Sequence, residues 1–555
     1  MNTRNRRIRL YDTTLRDGTQ REGLSLSVDD KLRIARELDV FGVDYIEGGW
    51  PGSNPKDAEF FQRARGLRLR HARIAAFGST RHASTRCETD ANIQALVAAE
   101  TPVVTLVGKS SALHVERVLE TTREENLRMI SDSIRYLAEL DREVIYDAEH
   151  FFDGYRLDGE YALATLAAAA AAGAACVVLC DTNGGSLPDT VAGTVRAVRS
   201  FLDAEGFSTT PIGVHTHNDS GLAVANAMAG VDAGASHVQG TINGYGERCG
   251  NMDLVPLVAN LQLKLGYDCI SEEQLARLTE VSHFVADVAN LNPDAHAPYV
   301  GRSAFAHKGG IHVAAVHKFR SSYEHVDPAL VGNETRVVVS ELAGRRNVHM
   351  RAEALGLPLD GREQAVLSQI KELEANGFQF EAADGSFELL IRRSAPDYRP
   401  PFELLDYTTL ASRQAGSAPR VQVMVRLRVG EVIMHTAADA EGPVHALDSA
   451  IRKALIPYYP ELDEVHLVDF KVRIIDTHRG SAAKPRVLIE SARGDERWST
   501  VGCSENIIEA SWQALWDSLE LPLLRNRDDR RAPSEASASG SRPLERAQFL
   551  TPLEA

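Results

Sequence analysis

The sequence has no apolar run of about 18 residues, no lysine–arginine block and no cysteine framework, and each absence removes a class of protein. Without such a run, no segment reads as a membrane-crossing helix. Lys and Arg number 61 against 77 Asp and Glu, a formal charge of −16, and the cations are dispersed. Nucleic acid and anionic membrane are therefore not expected as partners. Six cysteines (Cys87, Cys176, Cys180, Cys249, Cys269 and Cys503) are scattered without framework spacing and read as reduced thiols of a cytoplasmic protein. Cys176 and Cys180, four apart on an apolar run, have poor zinc-ribbon spacing and are expected as buried small hydrophobes. The basic stretch Met1–Arg7 leads into a strand rather than an apolar signal core. No G-x-G-x-x-G follows the first apolar run, which disfavours an open dinucleotide-binding sheet.

At 555 residues the chain exceeds one ordinary core, and two or three domains are expected. Residues 7–265 repeat one unit: a short β-branched apolar run, a polar loop, an amphipathic helix. Runs at 7–12, 43–47, 73–77, 103–107, 143–147, 176–180, 211–215 and 237–242 predict strands. Helices are expected over Val28–Phe41, Ala91–Ala99, Glu116–Leu140 and Tyr161–Ala172, among others. Ser27-Val28-Asp29-Asp30 resembles a capping box, and Gly173 a helix C-cap. The alternation predicts an α/β fold with a parallel sheet, and eight units in this length fit a closed (β/α)8 TIM barrel. Loops after the strands then carry the chemistry. Asp12 and Asp17, Glu47, Asp147 and Glu149, Asp181, His215 and His217, and Asn243 all lie there, although any single carboxylate at such a place also serves as a helix N-cap.

The barrel is assigned to residues 1–270. Residues 271–400, with helices over 273–290 and 361–376 and the glycine-bearing stretch Ser303–His312, are read as linker subdomains reaching over the barrel mouth. Residues 401–526 predict an α+β domain. Val421, Val423, Val425, Leu427 and Val429 alternate with polar residues apart from Met424, the pattern of a half-buried antiparallel strand. Gly442-Pro443 opens a helix with proline at its first position. Strands at 465–475, 485–491 and 497–502 and a helix over Glu505–Leu519 complete the domain. From 527 to 555 Ser, Ala, Pro, Arg and Glu dominate, and this tail is expected to be disordered.

Alternation along a strand points His215 and His217 the same way, and Asp17 follows another strand. Two imidazoles and a carboxylate at strand ends suit a divalent cation acting as a Lewis acid; paired core histidines are the plainer alternative. A 2-oxo acid fits such a site, because its carboxylate and keto oxygens chelate one ion. Arg16 is placed to stabilise an alkoxide, with a surface ion pair as its plainer role. Glu149 is a candidate base, and Thr182 in Asp181–Gly185 offers a hydroxyl for a substrate carboxylate. The residues alone leave carbon–carbon bond formation, cleavage and metal-assisted hydrolysis all open.

Leu10–Gln20 (LYDTTLRDGTQ), Gly213–Ala223 (GVHTHNDSGLA) and Gln239–Asn251 (QGTINGYGERCGN) carry a family resemblance. They resemble the first-strand signature, the metal-binding strand and the strand-eight loop of the DRE-TIM metallolyases, in particular the 2-isopropylmalate, homocitrate and citramalate synthase family. The resemblance spans nearly all of residues 7–525. It implies a Mn2+- or Mg2+-type ion, with Zn2+ or Co2+ as other candidates, on Asp17, His215, His217 and Asn251; read without the resemblance, Asn251 is a helix N-cap. Glu47–Asp57 (EGGWPGSNPKD), Phe77–Thr80 and Ile145–Gly154 (IYDAEHFFDG) look like the citramalate-forming branch. The resemblance then implies an acyltransferase (EC 2.3.3) condensing acetyl-CoA with pyruvate to (R)-citramalate and CoA, toward isoleucine. The alternatives are 2-isopropylmalate or homocitrate synthesis and, further off, a lyase on the same barrel. It also implies Arg16 at the keto oxygen, Thr182 on the pyruvate carboxylate, and Glu149 and His312 in a proton relay helped by Tyr323. A homodimer with a shared site and isoleucine as feedback inhibitor at the 401–526 domain complete the implied picture. Val313-Ala314-Ala315 departs from the Gln-Asp-Gly that often follows this histidine in relatives.

Overall fold

A computed structural model describes residues 6–338, 344–413, 415–416, 418–475, 480, 482–494 and 496–531. The described residues form two compact units, one running to Phe305 and taking in Val326–Glu334, the other made of Ala306–His325 and the described residues from Thr335 onward. Among the described residues no helix is long and apolar enough to cross a membrane.

In the first unit β1 (Arg9–Asp12), β2 (Tyr45–Gly49), β3 (Arg73–Ser79), β4 (Val103–Lys109), β5 (Glu143–Glu149), β6 (Cys176–Asp181), β7 (Ile212–Thr216) and β8 (His237–Gly240) pair in chain order. All are parallel, and β8 returns to β1, closing the barrel with Tyr11 opposite both Tyr45 and Gln239. Both faces of these strands are covered, so the strands read as near-continuous apolar runs. Alternation sorts their side chains. Leu10, Ile46, Val104, Leu179 and Val214 pack outward in the main core with the helices, while Tyr11, Tyr45, Val103, Ile145 and Val178 fill the lumen. Cys176 and Cys180 join the lumen cluster, their thiols pushed up by burial, and serve as small hydrophobes.

The helices start and stop where the local chemistry directs. Ser27 and Asp30 form the capping box of the helix Val28–Phe41, which ends at Gly42 with φ 98°. The helix expected over 116–140 is two, Ala112–Arg117 and Arg123–Ala138. Glu120 turns the chain at φ 51°, and the Thr122 hydroxyl restarts it by accepting from Glu125 N–H. Neither glycine nor proline marks that break, so periodicity ran through it. The first linker helix likewise divides into Glu272–Leu275 and Leu278–Val288.

The second unit opens with a short parallel pair, β9 (Ala306–His307) and β10 (Arg336–Val337), and helices Arg345–Ala354, Glu363–Ala375 and Asp384–Arg393. Two antiparallel three-stranded sheets follow: β11 (Glu403–Ser412), β12 (Arg420–Val429) and β13 (Val432–Ala440), then β14 (His466–Ile474), β15 (Pro485–Arg493) and β16 (Glu496–Cys503). The alternating residues of β12 are buried against Ala446, Leu447, Ala450 and Ile451 of the helix Pro443–Leu455.

The last helix, Ile507–Arg531, continues past its expected end at Leu519. Pro522 removes the N–H that the Ser518 carbonyl needs, ordinarily a break. Here the Trp498 indole N–H donates to that carbonyl at 3.1 Å. Beyond the proline, Arg525 forms ion pairs with Glu388 and Glu496. The helix extends to Arg531, and the rest of the tail expected to be disordered, 532–555, lies outside the described residues.

Candidate active site

β7 ends with His215 facing the lumen, and His217 follows it on the same side. His217 pairs with Asn251 in an isolated antiparallel bridge, which folds the strand-eight loop back over β7. Asp17 enters from the loop after β1, capping the turn Gly18–Gln20. One ligand-type atom each from Asp17, His215 and His217 lies within 4.8 Å of the others, and all three residues are buried. His215 Nε2 is 3.3 Å from His217 Nε2 and 3.2 Å from Asp17 Oδ2. Asn251 Nδ2 donates to Asp17 Oδ2 at 2.8 Å.

The electrostatics favour a cation. Burial alone would raise the Asp17 carboxyl, but the Arg16 guanidinium and the His215 imidazole hold it well below the usual carboxylate range. Burial, aided by the neighbouring His215 charge, lowers His217 to about 4, leaving it neutral with a lone pair to offer. For His215 the desolvation that would lower it is outweighed by Asp17, and it is raised. The donor set of two imidazoles, a carboxylate and an amide fits a divalent cation. The buried Asn251 Oδ1 has no hydrogen-bond partner among the described residues, and a half-turn of the amide exchanges it with Nδ2 at the cluster.

A cavity of about 460 Å3 opens on this cluster, its walls including Arg16, Asp17, Glu149, Thr182, His215 and His217. Arg16 is fixed on three sides: Nε on Glu47 at 2.5 Å, Nη1 on Asp17 at 3.2 Å, and its guanidinium 3.8 Å over the Phe77 ring. It is thus a half-buried residue of the cavity wall and not a surface ion pair. Trp50 meets Phe77 edge-on at 5.4 Å and is pinned by Asn92, which accepts from its indole at 2.7 Å. Thr182 Oγ1 accepts from the His150 backbone N–H at 2.8 Å, so its own hydroxyl proton can point into the cavity. Glu149 pairs with Lys109 at the wall. Burial lifts Asp147 to about 7, the charge of His215 opposing and that of Glu47 adding.

Seven of the nine site residues expected from sequence therefore gather here: Arg16, Asp17, Glu149, Thr182, His215, His217 and Asn251. Asn251 is not a helix N-cap, a place Asp253 takes. His312 and Tyr323 belong to the second unit, where their rings stack at 4.3 Å. Three strand-end candidates are engaged elsewhere. Asp12 holds Thr14, Asp181 holds Ser186, and Asn243 ties its turn to Ser282. Sequence reasoning missed Lys109, Arg248 and Gln239. A lysine closing an apolar strand and a glutamine at an inward position of β8 were the signals.

Lumen, mouth and ligand cluster together define a class, and comparison with known proteins gives it a name. The chain belongs to the HMGL-like family, whose profile matches residues 7–285. Residues 299–377 match a homocitrate synthase post-HMGL domain-like family and 381–522 a LeuA allosteric (dimerisation) domain. More particularly, the chain is 53% identical to (R)-citramalate synthase of Synechocystis sp., covering 94% of this chain and 97% of that one. It is 49% identical to (R)-citramalate synthase of Geobacter sulfurreducens (94% and 98%). Identity to a probable 2-isopropylmalate synthase of Methanopyrus kandleri is 32% (94% and 99%).

Proposed function

We propose that this chain is an (R)-citramalate synthase, an acyltransferase that joins the methyl carbon of acetyl-CoA to the keto carbon of pyruvate. Water then cleaves the thioester, giving (R)-citramalate and free CoA. The observation that carries the reading is the meeting of the Asp17–His215–His217 cluster, Arg16 and Thr182 around one cavity. Sequence identity selects the oxo acid, at about half for citramalate synthases against a third for a 2-isopropylmalate synthase.

Asp17, His215, His217 and Asn251 would hold a divalent ion, Mn2+ or Mg2+, with Zn2+ or Co2+ as alternatives. When bound, it supplies Lewis-acid polarisation of the keto group. Arg16, held by Glu47 and Phe77, faces the keto oxygen and stabilises the negative charge that develops as the new bond forms. Thr182, its oxygen occupied by the His150 N–H, donates its proton to the pyruvate carboxylate. Glu149, with His312 and Tyr323, moves the proton that leaves the acetyl methyl group. The barrel of 1–270 binds both substrates, 271–400 is a linker region, and 401–526 is the regulatory and dimerisation domain, which takes isoleucine as end-product inhibitor of a homodimer in the cytoplasm.

The test is thiol release from acetyl-CoA by metal-loaded protein offered a panel of 2-oxo acids. Release with pyruvate alone is expected. Preference for 2-oxoisovalerate would move the assignment to 2-isopropylmalate synthesis, and no release with any acid would remove the synthase reading.

A further inference from the structure

Gln239 lies inside the barrel on β8, 1% exposed, with both ends of its amide engaged. Nε2 donates to Asp147 Oδ1 at 2.9 Å, and Oε1 lies 2.7 Å from His215 Nδ1. Asp147 is on β5, which pairs with neither β7 nor β8, so the chain of contacts crosses the lumen. The two ends of an amide have nearly the same shape, and only the partners decide which end goes where. Above the value of about 7 to which burial lifts it, Asp147 is ionised and accepts without donating, so it takes the N–H end and leaves the oxygen for His215. An amide oxygen also only accepts. His215 Nδ1 must then carry its proton, and the lone pair sits on Nε2, the nitrogen that faces Asp17 and His217. His217 has no such support, since its buried Nδ1 lacks a partner among the described residues.

We infer that Gln239, braced across the barrel by Asp147, is the positioning residue that sets the tautomer and ring rotation of His215 and presents Nε2 as a ligand. The inference rests on the proposed reading that Asp17, His215 and His217 hold a divalent cation. It differs from that reading in what it demands of the metal-free protein: the tautomer must already be set before any ion arrives. Partners of this kind affect metal affinity by roughly 10–100-fold.

The experiment uses the full chain with 15N-labelled histidine and two variants, Gln239→Met, which keeps the volume and removes the acceptor, and the double variant Asp147→Asn with Gln239→Glu, which reverses donor and acceptor along the brace and keeps an acceptor for His215. Long-range 1H–15N correlation on metal-free protein at alkaline pH reads the His215 tautomer, and electron paramagnetic resonance of free Mn2+ reads affinity. Expected are a pure Nδ1–H tautomer in the unmodified chain and mixed tautomers in Gln239→Met, with Mn2+ bound roughly 10–100-fold more weakly. The double variant should recover most of both, which a role in packing alone would not produce. An Nε2–H tautomer in the unmodified metal-free chain, or undiminished Mn2+ binding by Gln239→Met, overturns the inference. If the unmodified chain fails to bind Mn2+, or His217→Ala binds it equally well, the cation reading falls, while the tautomer measurement still decides the role of Gln239. Should Gln239→Met not fold, the unmodified chain and the double variant carry the same decision.

Discussion

In the proposed roles, Thr182 and Glu149 separate binding from proton transfer. Thr182→Val removes a donor to a carboxylate, a charge-assisted bond worth about 1.5–3 kcal/mol. Steady-state kinetics should show kcat/KM for pyruvate lower by roughly 10–100-fold, mostly through KM. Glu149→Gln should lower kcat by roughly 100–10,000-fold with KM little changed, the range of a general acid–base group. Protonation acts at the same scale. The folded state raises His215 above its ordinary value, so protons compete with the cation through the ordinary histidine range and beyond it. Mn2+ affinity, read by titration calorimetry, should rise with pH through that range. Asp12, lifted to about 7 by burial, works on stability instead. Its folded form binds a proton more tightly than its unfolded form, so its contribution is full below about pH 4 and is lost as pH rises toward 7, by at most about 4 kcal/mol. Denaturant unfolding of Asp12→Asn should show a flatter pH dependence than the unmodified chain.

Among the elements, Ile507–Arg531 shows how a local rule is overridden. Pro522 signals a stop, and the Trp498 indole lets the helix continue by satisfying the orphaned Ser518 carbonyl. Trp498→Phe keeps the ring and removes that donor, leaving a buried carbonyl unpaired at a cost of about 1–3 kcal/mol. A lowered unfolding midpoint of the full chain by calorimetry checks this; an unchanged midpoint means water or a shifted backbone serves the carbonyl equally well. The barrel elements were legible, because strand and helix periods are properties of neighbouring residues: Val28–Phe41 and all eight strands stand within a few residues of the expected bounds. The break at Glu120 and the passage through Pro522 were not. Each depends on a conformation or a partner that no window of sequence contains.

For the whole molecule, the match of residues 381–522 to a LeuA allosteric (dimerisation) domain argues that the enzyme works as a dimer. Sedimentation should find the full chain dimeric, and isoleucine should lower the rate of thiol release while leaving the Mn2+ affinity of the barrel site within about twofold, as expected if regulation acts on turnover and not on the cluster. Period and strand-end chemistry alone determined the closed barrel, the face that carries the site, and Asp17, His215 and His217 as a set, because a parallel barrel brings every strand end to one mouth. The family resemblance added Asn251 to that set, and tertiary structure alone decided that Asn243 ties a turn to a helix, that Arg16 is clamped by Glu47 and Phe77, and that Gln239 and Asp147 meet across the lumen. Those contacts join residues dozens to hundreds of positions apart, and only closure of the barrel brings them within reach.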